Sequence, residues 1–266
     1  EATSLDMATK GKKKRASLPA QAERALLDAV ERGTVDLASD RATHWKADPP
    51  MPPPSIKMVL WDMDRTLLNT HTRGLWKDDI KKLAKEVTRA FKILVPHLLF
   101  NKYAVGIVTF SDQLVLSSEG GQGGSAGETL VNDLLTETFV SLYSKVKSLS
   151  EHKEHVKRNA EHIRDQVYVA AALPQLRNQQ DSKFKMPNSK RWHIDQVIEK
   201  YKERTGNTLK YEEIMLFDDT VDNVKAALET GVHAFAVPRT SAFTSSCWEK
   251  ALETLKNPGE IISKLK

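Results

Sequence analysis

A single cysteine, Cys247, in 266 residues leaves no internal partner for a disulfide, so no cystine framework can hold this fold. Long apolar runs are missing as well. No stretch approaches the ~20 residues a helix needs to cross a bilayer, which excludes a membrane-spanning reading and a membrane partner. The opening residues lack the apolar segment of a secretory signal, and with cysteine this scarce a reducing intracellular compartment is expected, cytoplasmic or alternatively nuclear. Aromatic residues make up only 7%, and the five tryptophans (Trp45, Trp61, Trp76, Trp192 and Trp248) are scattered rather than interleaved with a basic stripe, which disfavours a base-stacking platform. The glycine-rich segment 119–127 has neither the lysine nor the strand-to-helix setting of a phosphate-cradling loop, and it reads as a mobile surface excursion.

What remains is the composition of an ordinary globular chain, with 40% hydrophobic and 28% charged residues. The formal net charge is +5, and the densest basic run is Lys12, Lys13, Lys14 and Arg15. Such a run reads first as a solvated arm, although it offers nucleic acid an electrostatic contact. Residues 1–54 are read as this arm, with a short helix over 21–35 and a proline-rich linker over 49–54 that stiffens the chain. Residues 55–266 are read as the main domain.

Within that domain, buried-strand runs alternate with longer helical patterns, which predicts βαβ units around a mostly parallel sheet. Strands are expected over 56–61, 104–110, 214–217 and 234–237. Apolar spacing predicts one helix over 75–94, a second beginning near Leu130, a charged third over 151–172 ended by Leu173-Pro174, and another over 194–201. The stretch 110–189 is a loop and helical insertion.

Two segments carry chemistry. In Lys57-Met58-Val59-Leu60-Trp61-Asp62-Met63-Asp64-Arg65-Thr66 an apolar strand runs into two carboxylates, and in Ile214-Met215-Leu216-Phe217-Asp218-Asp219 another does the same. The carboxyl ends of parallel strands are where open α/β sheets place their ligand crevice. A carboxylate there can attack phosphorus while a second protonates the leaving alcohol and later activates water, so Asp62 and Asp64 fit phosphoester hydrolysis. Two strand-end acids facing each other also suit magnesium, which takes oxygen ligands. His152, His155 and His162 lack the partners of a zinc set and read as a solvated helix face. Cys247 has no catalytic context and reads as structural.

Asp62-Met63-Asp64-Arg65-Thr66 resembles the first motif of the haloacid dehalogenase (HAD) superfamily. Thr109, with Ser111 as a competitor, resembles the second, Lys190 the third, and Phe217-Asp218-Asp219 the fourth, in the expected order. The resemblance implies a Rossmann-like three-layer sandwich with a mostly parallel central sheet, and a magnesium-dependent phosphatase of the subgroup with little or no cap. It further implies Asp62 as nucleophile and Asp64 as acid and base, with Thr109 and Lys190 on the phosphate. Mg2+ would be held by Asp62, Asp64 through its backbone carbonyl, and Asp218, with Asp219 in support. Lys183, Lys185 and Arg191 remain alternatives to Lys190, Asp222 could join the acids, and Trp76 and Trp192 are candidates to border the site. The substrate would be a small phosphomonoester, with a phosphoprotein, a nucleic-acid end, or a non-catalytic binding role for the same fold as alternatives.

Overall fold

Every residue of Met58-Val59-Leu60-Trp61 is buried, so neither face of this strand meets water, as the middle of a parallel sheet requires. In the computed structural model, which describes residues 49–114, 116, 124–145, 153–173 and 189–256 (153–155 as backbone alone), this strand, β1 (Met58–Trp61), is the centre of a five-stranded sheet. The other strands are β3 (Ala104–Thr109), β5 (Tyr168–Ala171), β6 (Ile214–Asp218) and β7 (His233–Ala236), ordered β5-β3-β1-β6-β7 and all parallel. A separate antiparallel pair joins β2 (Leu75–Trp76) to β4 (Ser125–Ala126).

Strand alternation divides the apolar side chains into two cores. Val59 and Trp61 of β1, with Met215 and Phe217 of β6, face helices α1 (Ile80–Glu86), α2 (Arg89–Phe100), α3 (Gly127–Tyr143), α4 (Lys153–Gln166) and α7 (Ser245–Lys256). Met58 and Leu60, with Ile214 and Leu216, face α5 (Arg191–Thr205) and α6 (Val221–Glu229). The protein is therefore α/β, with a parallel sheet covered on both faces, consistent with the Rossmann-like three-layer sandwich expected. Among the described residues no helix is long and apolar enough to cross a membrane.

Connectivity explains where a site can form. From β1 the chain moves outward through β3 to β5 with α1 to α4 on one face, then returns through α5 on the other face to β6 beside β1. The strand order reverses between β1 and β6, and such a switch point leaves a crevice at the carboxyl ends of the two strands.

Three expectations need correction. The helix expected over 75–94 is instead β2, α1 and α2. Asp79 caps α1 by accepting from the Lys81 N–H at 2.9 Å, and the helix stops where Val87 forms a bridge with Leu68 and the Thr88 N–H donates to Leu67 O at 2.8 Å. Those pairings are tertiary and have no helical period to announce them. The surface excursion expected over 119–127 does not hold at its end, where Ser125 and Ala126 pair with β2. Gly127 is buried with φ 63, and a Cβ there would stand 2.8 Å from Gln113 N. The charged helix expected over 151–172 ends at Gln166, because Tyr168–Ala171 pairs in register with Gly106–Thr109 to make β5. Part of the 110–189 stretch therefore belongs to the central sheet. The outer edge of β5 is blunted by Lys200, whose Nζ donates to Val169 O at 2.6 Å.

The short N-terminal helix over 21–35 lies outside the described residues. Two of the linker carbonyls are anchored to the domain: Trp248 Nε1 donates to Pro50 O at 2.7 Å and the Tyr103 hydroxyl to Pro52 O at 2.6 Å.

Candidate active site at the carboxyl end of the sheet

Asp62 extends the β1 ladder by one bond, its N–H donating to Phe217 O at 2.9 Å, and its side chain is buried beyond the strand. Below it Trp61 packs against Phe91, Phe217 and Phe243 with ring centroids 5.3, 5.9 and 5.7 Å away, so the carboxylate stands on a rigid floor. Next comes a single π-type turn, Met63–Leu67, with Arg65 in the left-handed region at φ 57. The turn brings Asp64 back over the crevice, where it lines the same cavity as Asp62.

Asp64 is held by the following loop. Its Oδ1 accepts from the Thr72 N–H at 2.9 Å and the Thr72 hydroxyl at 2.8 Å, and its Oδ2 from the Arg73 N–H at 3.1 Å. His71 Nδ1 lies 2.5 Å from Oδ2. Four contacts fix the carboxylate while it stays partly open to the cavity, at 14% side-chain exposure.

Lys190 precedes α5 and is 1% exposed, yet its ammonium reaches the crevice. Nζ donates to Asp62 Oδ1 at 2.6 Å and to Val108 O at 2.9 Å, and stands 4.3 Å from the Phe110 ring centroid. Arg191, its neighbour, is exposed, and Lys183 and Lys185 lie outside the described residues. Thr109, the last residue of β3, lines the cavity. Ser111 does not: its hydroxyl donates to Gly74 O at 2.7 Å and accepts from the Gly127 N–H at 2.7 Å, tying two loops together.

Asp218 ends β6 fully buried. It accepts from the Thr220 N–H at 2.8 Å and from Asn223 Nδ2 at 3.1 Å to each oxygen. Asp219 faces Arg239, whose Nε lies 3.1 Å from Oδ2. One carboxylate oxygen from each of Asp62, Asp218 and Asp219 falls within 4.8 Å of the others. Asp222 lies apart, exposed on the first turn of α6. Among the described residues this trio is the one such group of histidine, cysteine or acid side chains, and its all-oxygen donors suit a hard divalent cation.

The electrostatics follow from burial. Desolvation pushes Asp62 up to about 7, with the Asp218 charge adding to it and the Lys190 ammonium opposing it. Desolvation also raises Asp218, against Lys190 and its donors from Thr220 and Asn223. His193, one helical turn beyond Lys190, is pushed down to about 3 by burial and then by the Lys190 charge. It is therefore neutral, with Nε2 3.3 Å from the Ala172 carbonyl and its ring edge-on to Phe110.

The cavity above these groups has a volume of about 430 Å³. Its lining includes Asn223 and four residues that sequence reasoning did not single out: Arg65, His71, Arg73 and Arg239. Asn223 closes the Phe217-Asp218-Asp219-x-x-x-Asn223 pattern on which the resemblance to the subgroup with little or no cap rests. The others are charged loop residues of the kind that usually face solvent. Trp76 and Trp192 are not among the lining residues. Cys247 Sγ lies 3.4 Å from the Thr244 hydroxyl at the start of α7, away from this cavity. No protein-family model matches the chain, and no curated protein matches it.

Proposed function

We propose that this protein is a magnesium-dependent phosphatase of the haloacid dehalogenase type, hydrolysing a phosphomonoester through an aspartyl-phosphate on Asp62. The observation that carries the reading is the buried Lys190 ammonium 2.6 Å from Asp62, at a switch point that also gathers Asp64, Asp218 and Asp219. A structural ion pair alone would not need Asp64 and Asp219 on the same cavity lining as Asp62 and the buried Asp218 close beside them.

The residues divide the chemistry. Asp62 attacks phosphorus with the oxygen that Lys190 leaves free, the new O–P bond forming as the ester P–O bond breaks. Asp64 gives its proton to the departing alkoxide. It then takes a proton from the water that attacks the aspartyl-phosphate, which releases inorganic phosphate, frees the Asp62 carboxylate and returns Asp64 to its protonated form. Lys190 offsets negative charge on the nucleophile and on the phosphoryl oxygens. The Thr109 hydroxyl would donate to one of those oxygens. The donor set of Asp62, Asp218 and Asp219, with the Asp64 backbone carbonyl, fits magnesium, which when bound would neutralise phosphoryl charge and make the approach of an anionic nucleophile possible.

The test is release of nitrophenol from p-nitrophenyl phosphate with and without magnesium, in the parent and in Asp62→Asn. Magnesium-dependent turnover that disappears in the variant is expected. Turnover that survives the substitution would remove Asp62 from the mechanism. A folded, magnesium-loaded parent inert toward every phosphomonoester offered would favour a binding module instead.

A further inference from the structure

Charge in the cavity segregates by depth. The acids lie inward: Asp62 is buried and the Asp219 side chain is 10% exposed, with the buried Asp218 carboxylate close to both. Arg65, Arg73 and Arg239 line the same cavity from exposed positions. The inner charges also have counterparts. Asp62 has Lys190 and Asp219 has Arg239, while Asp64 accepts from two backbone N–H groups and a hydroxyl, with His71 Nδ1 in hydrogen-bond contact. No carboxylate among the described residues pairs with Arg65 or Arg73.

Both of those arginines hold φ 57, a left-handed conformation that favours glycine and is tolerated in a long side chain chiefly where the surroundings enforce it. Lys190 already sets a cation on the nucleophile Asp62, so Arg65 and Arg73 on the cavity lining are placed for a different anionic group. A volume of about 430 Å³ leaves room for the remainder of a small substrate beside them. A guanidinium fork matches a carboxylate or a phosphate through two parallel hydrogen bonds.

We propose that the substrate is a small phosphomonoester bearing a second anionic group, a carboxylate or another phosphate, which Arg65 and Arg73 receive at the mouth of the cavity. This rests on the phosphatase reading of the same site.

Two matched pairs test it at constant free magnesium: 3-phosphoglycerate against glycerol 3-phosphate, and fructose 1,6-bisphosphate against fructose 6-phosphate. The doubly anionic member is expected to show about tenfold higher kcat/KM in at least one pair, the size of effect of one charge-assisted contact, and the pair that responds tells carboxylate from phosphate. Arg65→Asn and Arg73→Asn, in which asparagine tolerates the left-handed backbone, should bring that ratio toward one. Calorimetric affinities of the same compounds for the Asp62→Asn protein give the ratio without turnover. A ratio of one or less in both pairs, or one unmoved by both substitutions, overturns the inference. Loss of nitrophenyl phosphate turnover would count against the phosphatase reading alone, and the calorimetric ratio would still decide whether the rim selects a second anion.

Discussion

Lys190 Nζ and Asp62 Oδ1 meet at 2.6 Å across 128 positions of sequence, one from the turn before α5 and the other from the end of β1. Lys190 is the cation that lowers both Asp62 and Asp218 against their burial. Removing one partner of a buried pair leaves the other charge uncompensated, which typically costs about 3–5 kcal/mol. Lys190→Met in metal-free protein should therefore be destabilised, and more so at pH 8 than at pH 6. The sign follows from the raised acids: stability they contribute is full below their unfolded values and is lost as pH rises through their folded ones. Thermal melts in chelator across this range check it, and a pH-independent loss would mean that Lys190 matters through packing alone.

Asp64 is positioned by Thr72, Arg73 and His71 rather than by the metal-ligating trio, so its substitution should separate proton transfer from binding. Asp64→Asn should lower steady-state turnover by about 10²–10⁴-fold, the usual contribution of a general acid and base. With p-nitrophenyl phosphate the leaving group needs little protonation, so a burst near one nitrophenol per protein should precede the slow phase. Rapid-quench measurement reads it directly. Slow turnover without a burst would place the loss before phosphoryl transfer.

Much of the fold was legible because the central strands carry their own signature. Met58–Trp61 and Ile214–Asp218 are apolar on both faces and end in acids, a pattern that names both a buried parallel strand and its ligand end. Tyr168–Ala171 has no such ending and follows directly on a charged helix, so four residues that pair only through contact with β3 look like the helix continuing. The break at Val87 likewise depends on Leu68, nineteen positions earlier in the chain and invisible to any local period. Within the site, Asp62, Asp64, Asp218 and Asp219 stood out by their place after apolar strands, and Thr109 and Lys190 by the resemblance of motif order. Arg65, Arg73, His71 and Arg239 did not, since an exposed charge in a loop looks alike whether it faces open water or the mouth of a cavity.

His193 supplies a pH test independent of catalysis. Its folded value of about 3 lies below the ordinary 6.5, so the stability it contributes is present above pH 6.5 and is lost as pH falls through the folded value. Asp62 works in the opposite direction between its ordinary 3.8 and about 7. Comparison with His193→Gln isolates the histidine: the parent's stability relative to the variant should fall by up to about 3 kcal/mol between pH 6.5 and pH 4.5, at roughly 1.4 kcal/mol per unit. Urea denaturation in chelator at both pH values measures it. A constant difference would mean that the imidazole is already charged or more open to water than its burial indicates.

Metal binding can be read without any substrate. A ligand that binds only the folded state stabilises it by about 2.7 kcal/mol at a hundredfold excess over Kd, so magnesium should raise the melting temperature of the parent. Asp218→Asn keeps an oxygen to accept from Thr220 and Asn223 but removes a charge from the trio, and should abolish most of the shift. In chelator the same variant should be as stable as the parent at pH 8, because it relieves repulsion with Asp62 and Asp219. Asp222→Asn, on the exposed first turn of α6, should keep the full shift. An equal shift in all three proteins would move the magnesium site away from the end of β6, and the proposed phosphoryl chemistry would then lack the cation its carboxylates are arranged to hold.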